Sequence, residues 1–195
     1  IRDRILHLPF MGAGLLIEDK ETALKDKYQA IHHELVASAL ATKIAHEIDP
    51  DNKVGCMLAA GNTYPYTCNP DDVWKSIQID REGYFFIDVQ ARGYYPRYAL
   101  KQMEREGTMP IMEDGDQELL KDNTVDFISF SYYSSRCTSA DPDMNKQTEG
   151  NVFATLKNPY LKASEWGWQI DPLGLRITLN SICLLYTSPS PRDCS

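Results

Sequence analysis

Apolar residues recur every four positions between about Glu21 and Ile48, at Val36, Leu40, Ile44 and Ile48, with Ala37 and Ala41 widening the stripe. Lys25 and Lys43 border one edge, and Lys27 and Glu34 the other. The spacing predicts a long amphipathic helix that buries this stripe and stops at Asp49-Pro50. Lys53 to Ala60 is a short, nearly continuous apolar run, expected to be a strand covered on both faces. Gly61 to Pro65 reads as a loop. Asn69-Pro70-Asp71-Asp72 carries the cap, N1 proline and acidic first turn of a helix start. Helical spacing then runs through Trp74 and Ile77 and, after Gly83, through Phe86 and Val89, with Pro96 and Gly107 as later punctuation.

Val125 to Tyr133 is a second run of the buried-strand type, preceded by a short helical signal from Gln117 to Lys121. An interval of some 70 residues containing helices separates the two strand starts, so a crossover and parallel pairing are expected rather than a hairpin. Ser134 to about Asn158 reads as one long polar loop, and Asp171 to Asn180 as a final helix opened by a capping Asp and a Pro. Strands alternating with helices give an α/β class. Two strands are too few to close a sheet or a barrel, so the 195 residues are expected to form part of a larger domain.

Composition narrows the function classes. With 43% hydrophobic and 25% charged residues the chain is of the soluble globular type. Its formal charge of −8 offers no basic surface to a phosphate backbone or an anionic membrane, so no nucleic-acid or membrane partner is expected. The five cysteines are scattered and odd in number, without C-x-x-C, which fits a reducing, cytoplasmic setting better than a disulfide framework or a zinc site. The start Ile1-Arg-Asp-Arg4 shows neither an initiator Met nor a signal peptide.

Familiar catalytic motifs fail. His33-Glu34 and His46-Glu47 lack the second His four residues on that a zinc-peptidase helix needs, since positions 37 and 50 are Ala and Pro. His32 and His33 point about 100° apart on a helix and are expected to be structural or surface residues. G-x-S-x-G, P-loop and complete G-x-G-x-x-G patterns are missing. What remains is Tyr and Trp beside polar residues: Tyr64-Pro-Tyr66, Tyr94-Tyr95, Ser131-Tyr-Tyr133 and Glu165-Trp-Gly-Trp168. Such side chains match the apolar face and hydroxyl rim of a sugar, although most Tyr and Trp in any domain are core residues. Tyr133 stands out because it ends a strand, where sites of α/β folds assemble.

Four ordered blocks resemble glycoside hydrolase family 1, in its 6-phospho-β-glucosidase branch: His32-His-Glu-Leu-Val-Ala-Ser-Ala-Leu-Ala41, Phe85-Phe-Ile-Asp-Val-Gln-Ala-Arg-Gly-Tyr-Tyr-Pro96, Val125–Tyr133 and Ser164–Arg176. The resemblance implies a partial (β/α)8 TIM barrel, roughly from the exit of strand 4 to the helix after strand 6. Residues 1–182 would form the incomplete barrel and 183–195 a non-native or disordered tail, rich in Ser-Pro. It further implies retaining hydrolysis of phosphorylated β-glucosides such as cellobiose phosphate, with no cofactor and no metal, and leaves homo-oligomerisation of the full-length parent open. The two carboxyl groups such chemistry needs, roughly 5–5.5 Å apart, would both fall outside these residues: the acid/base at or before Ile1, the nucleophile beyond Asn180. Tyr133 would support the nucleophile, Ser131 would assist, Trp168 would line the aglycone side, and Glu165 would sit on the rim. The chain alone would then be inactive, and the unpaired edges of a partial barrel favour aggregation. The alternatives are a β-glucosidase or 6-phospho-β-galactosidase of the same family, or a non-catalytic sugar-binding remnant.

Overall fold

A computed structural model describes residues 9–17, 19, 21–146, 148–149 and 155–186. In chain order the elements are α1 (Pro9–Ala13), α2 (Ala23–Ile48), β1 (Gly55–Ala60), β2 (Thr63–Pro65), α3 (Pro70–Arg92), α4 (Arg97–Glu106), α5 (Asp116–Asp122), β3 (Phe127–Tyr132), β4 (Arg136–Thr138), α6 (Pro142–Asn145), β5 (Thr148–Glu149), β6 (Thr155–Leu156) and α7 (Pro172–Tyr186). The described strands pair two by two, β1 with β3, β2 with β4 and β5 with β6, so the α/β class holds and no closed barrel is formed among them. Two compact units result, one from residues up to Met57 together with Gly83–Ser129, the other from Leu58–Glu82 together with Phe130 onward.

The first unit has an aromatic and aliphatic core. Ile31, Leu35 and Ala39 of α2 meet Phe85, Phe86 and Val89 of α3, Ala99 and Met103 of α4, Tyr95 and Leu120. Phe85 and Tyr95 pack edge-on with ring centroids 5.3 Å apart. The buried stripe of α2 is therefore one residue, about 100°, away from the expected one: Leu40, Ile44 and Ile48 are exposed. His32 accounts for the rotation. It is fully buried, its Nε2 lies 2.9 Å from Asp116 Oδ2 and its Nδ1 2.9 Å from the Tyr95 hydroxyl. A carboxylate only accepts, so Nε2–H donates to Asp116 and, in the neutral ring, Nδ1 accepts from Tyr95. Turning α2 to bury Leu40 would carry this ring away from Asp116 and Tyr95 and leave their polar groups without it.

β1 and β3 also differ from expectation. Only Cys56 of β1 is fully buried, Met57 and Phe127 are exposed, and no residue of β3 is fully buried. The Asp126 N–H donates to the Val54 carbonyl at 2.7 Å and the Ser129 hydroxyl to that of Cys56 at 3.0 Å, contacts that climb both segments together as parallel strands require. Asp126 closes this corner by accepting from Val54 N–H and pairing with His46, both at 2.8–2.9 Å. α3 passes through Gly83 unbroken. Gly93, just past its end, has φ +74°, and a Cβ there would meet the Lys121 backbone at 2.6 Å, so glycine alone fits.

In the second unit, the segment expected to be one polar loop contains β4, α6, β5 and β6. β2 pairs in parallel with β4, with Tyr64 opposite Cys137. Alternation was too short in these two- and three-residue strands to be visible in the sequence. Asp72, read as an acidic first-turn residue, is buried and accepts from Thr67 N–H and Oγ1 and from Ser139 Oγ and Ala140 N–H, at 2.6–3.0 Å. The Thr67 hydroxyl foremost, with the Ala140 N–H, holds its carboxyl below the ordinary range. α7 runs beyond Asn180 and includes Cys183–Tyr186, the first residues of the expected tail; residues 187–195, like Ile1–Leu8, lie outside the described residues.

Asp116 supplies a pH test. His32, before the Glu113 N–H, holds its carboxyl below the ordinary value. A lowered folded-state pKa gives stability that is complete above the unfolded value, about pH 4, and is lost as pH falls through the folded one. Asp116→Asn is expected to lose about 1.5–3 kcal/mol at pH 7 and to flatten the acid limb of urea-unfolding stability between about pH 5 and 2; an acid limb as steep as the wild type's would refute the linkage.

Candidate functional site

Tyr133 follows directly on the last residue of β3. The two tyrosines at this strand end have different partners. The Tyr132 hydroxyl donates to the Asp171 carbonyl at 2.7 Å. Tyr133 is 67% exposed. Ser131, half-buried, is two positions earlier, within β3.

The structure brings Trp168 to Tyr133. Their ring centroids are 5.2 Å apart at 75°, an edge-to-face contact. Trp168 is carried on a tight turn: the Ser164 N–H donates to the Trp168 carbonyl at 2.8 Å, the Gly167 N–H to the Ser164 carbonyl at 2.9 Å, and the Trp168 N–H to Ser164 Oγ at 3.2 Å. The indole Nε1–H is buried without a hydrogen-bond partner among the described residues. Glu165, at the tip of the same turn, is exposed. The next residue, Gln169, is buried and anchors the segment by accepting from Asn158 N–H at 2.8 Å and donating to the Ser135 carbonyl at 3.4 Å.

Behind this pair lies a group that sequence reasoning missed. Asp171 is buried at the start of α7; its Oδ1 accepts from the Gly174 N–H at 2.9 Å, the N-cap bond, and its Oδ2 accepts from the Tyr64 hydroxyl at 2.8 Å. Burial, then the hydrogen bond and charge of Asp171, push the Tyr64 phenol far up; burial and the same charge push Tyr132 up to about 12. Both therefore remain donors beyond the pH, near 10, at which a free phenol ionises. The Asp-Pro pair signalled a helix start in the sequence, but nothing in it showed which donors would converge there. Among the described residues no group of three or more His, Cys, Asp or Glu side chains is placed to hold a metal ion. No described helix is long and apolar enough to cross a membrane.

An exposed phenol at a strand end, braced by an indole, is an arrangement that can donate a hydrogen bond into a polar site. Residues 5–191 match the sequence profile of glycosyl hydrolase family 1. The chain belongs to that family. Among curated family relatives, it is 58% identical over 185 residues to the 6-phospho-β-glucosidase AscB of Escherichia coli K12, and 52% identical over 185 residues to the aryl-phospho-β-D-glucosidase BglH of Bacillus subtilis 168. Each match covers 95% of this chain and 39% of the relative, so the chain spans about two-fifths of their length. A family 1 β-glucosidase structure from Thermotoga maritima superposes with a TM-score of 0.66 at 22% identity, covering 85% of this chain and 36% of that one, a likeness of fold.

If the edge-to-face contact fixes the Tyr133 ring, a double-mutant cycle of Tyr133→Leu and Trp168→Leu should show a coupling of about 0.5–1.5 kcal/mol in urea unfolding followed by the second unit's tyrosine signals. Strict additivity would mean that the rings touch without supporting one another.

Proposed function

We propose that this family 1 chain belongs to a cytoplasmic retaining hydrolase of 6-phospho-β-glucosides, such as cellobiose phosphate and aryl β-glucoside phosphates. The observation that carries the reading is the 58% identity, maintained over 185 of 195 residues, to a protein named 6-phospho-β-glucosidase, supported by relatives named for phospho-β-glucosides at 52% and, as phospho-cellobiase, 48% identity. Phosphorylated sugars are substrates found inside cells, and the four described cysteines are free, as a reducing compartment requires.

Within that reading Tyr133 donates its hydroxyl hydrogen to the nucleophilic carboxylate, favouring the ionised form and aiming it. Ser131, two positions earlier, assists. Trp168 braces the phenol along one edge and offers its remaining surface to the aglycone. Retention calls for two carboxyl groups, one protonated and one ionised, on either side of the glycosidic bond. By the family resemblance neither is among these 195 residues, and the described residues are read as the side of the site that orients the nucleophile. The partial (β/α)8 arrangement, from the exit of strand 4 to the helix after strand 6, supplies the frame; the exposed faces of α2, β1 and β3 fit surfaces that a complete barrel would cover.

Purified alone, the chain should give no turnover of p-nitrophenyl β-glucoside 6-phosphate above a buffer control; steady hydrolysis would show that the carboxylates have been placed wrongly. A clone extended at both ends should cleave this substrate with retention and leave p-nitrophenyl β-glucoside nearly untouched. In that protein Tyr133→Phe should lower kcat on the order of 10²-fold with a smaller change in KM. Equal rates on the two substrates would reject the phosphorylated class.

A further inference from the structure

We infer that Asp171 is a positioning residue for the proposed reaction: by holding the Tyr132 hydroxyl it fixes the strand end from which Tyr133 faces the site. The inference rests on the reading of Tyr133 given above, and it assigns to Asp171 a role beyond that of a helix cap.

Three acceptor atoms of one buried residue meet three donors from three elements. The backbone carbonyl takes Tyr132 at the end of β3, Oδ2 takes Tyr64 of β2, and Oδ1 takes the Gly174 N–H of α7. The space is fitted to this arrangement. A Cβ on Gly174 would run into the Tyr132 hydroxyl and the Asp171 carboxylate, so any other residue would force one of them to shift. A cap alone requires no such room.

The four residues Trp168–Asp171 also touch both tyrosines of the strand end. Trp168 meets the Tyr133 ring edge-on while Asp171 holds the Tyr132 hydroxyl, and Gln169 between them is locked to Ser135 and Asn158. Because the two residues share one planar peptide unit, restraining the Tyr132 phenol restrains the backbone rotation that would swing Tyr133. The Asp171 charge, added to burial, keeps Tyr64 and Tyr132 protonated, so the grip does not relax across the neutral range.

The test reads the Tyr133–Trp168 ring contact as nuclear Overhauser effects in the purified chain, with no substrate present. Asp171→Ala removes the carboxylate; Tyr132→Phe removes only the hydroxyl and leaves the cap bond to Gly174 intact. Both should cut the ring-to-ring effect at least twofold, Asp171→Ala because it loses the cap that seats the backbone carbonyl, and Asp171→Asn, whose Oδ1 still caps Gly174, should retain more than half of it. Loss in Asp171→Ala with an unchanged effect in Tyr132→Phe would reduce Asp171 to a helix cap and overturn the inference, as would an unchanged effect in both. If Asp171→Ala does not fold, Tyr132→Phe decides alone. Failure of the phospho-β-glucosidase reading would instead appear as absent turnover by the extended clone, with these ring contacts unaffected.

Discussion

A carboxylate can only accept, and once taken out of water it must be given donors by the chain around it. In both units the packing is arranged to meet that demand. Asp116 draws His32 of α2 and the Glu113 backbone, 84 and 3 residues away; Asp72 draws Thr67 from one loop and Ser139 and Ala140 from another; Asp171 draws Tyr64 and Gly174. Each carboxylate joins segments far apart in sequence at a point where a helix begins. Apolar contact gives each unit cohesion without direction, whereas these bonds have fixed partners and angles and so set how α2 is rotated and where the strand ends lie.

The same logic separates structural from functional polar groups. The Tyr95–His32–Asp116 chain has the linear order of a catalytic relay, yet His32 is fully buried and Tyr95 is 8% exposed, so no substrate reaches it. At the end of β3 the order is reversed. Tyr132 is engaged with Asp171, while its neighbour keeps two-thirds of its surface open and meets the Trp168 ring. A group fully satisfied within the protein has no capacity left for a ligand, and Tyr133 is the phenol at this strand end that retains it.

Much of the element order was legible because its signals are local. The Asn69-Pro70 start, the Asp171-Pro172 start and the breaks at Asp49-Pro50 and Pro96 follow from backbone chemistry within a few residues, and the crossover between β1 and β3 from the helix-filled interval between them. The family blocks likewise led to Tyr133 and Trp168, which the fold brings into contact. The rotation of α2 was not legible, because a four-residue apolar repeat identifies a helix but His32, with partners at 95 and 116, decides which face turns inward. β1 and β3 looked doubly covered because apolar content was read as burial; the faces holding Met57 and Phe127 are open among the described residues. Asp72 and Asp171 were read by their caps alone, since hydrogen bonds over 67 and 107 residues leave no trace in a linear pattern.

The paired tyrosines at the end of β3 make this stretch respond very differently to two kinds of genetic change. Replacing one phenol by another ring leaves its neighbour in its place. Adding or deleting a single codon upstream within Phe127–Ser131 would move both phenols by one position, out of register with Asp171 and Trp168. Length, more than side-chain identity, is what this segment cannot vary.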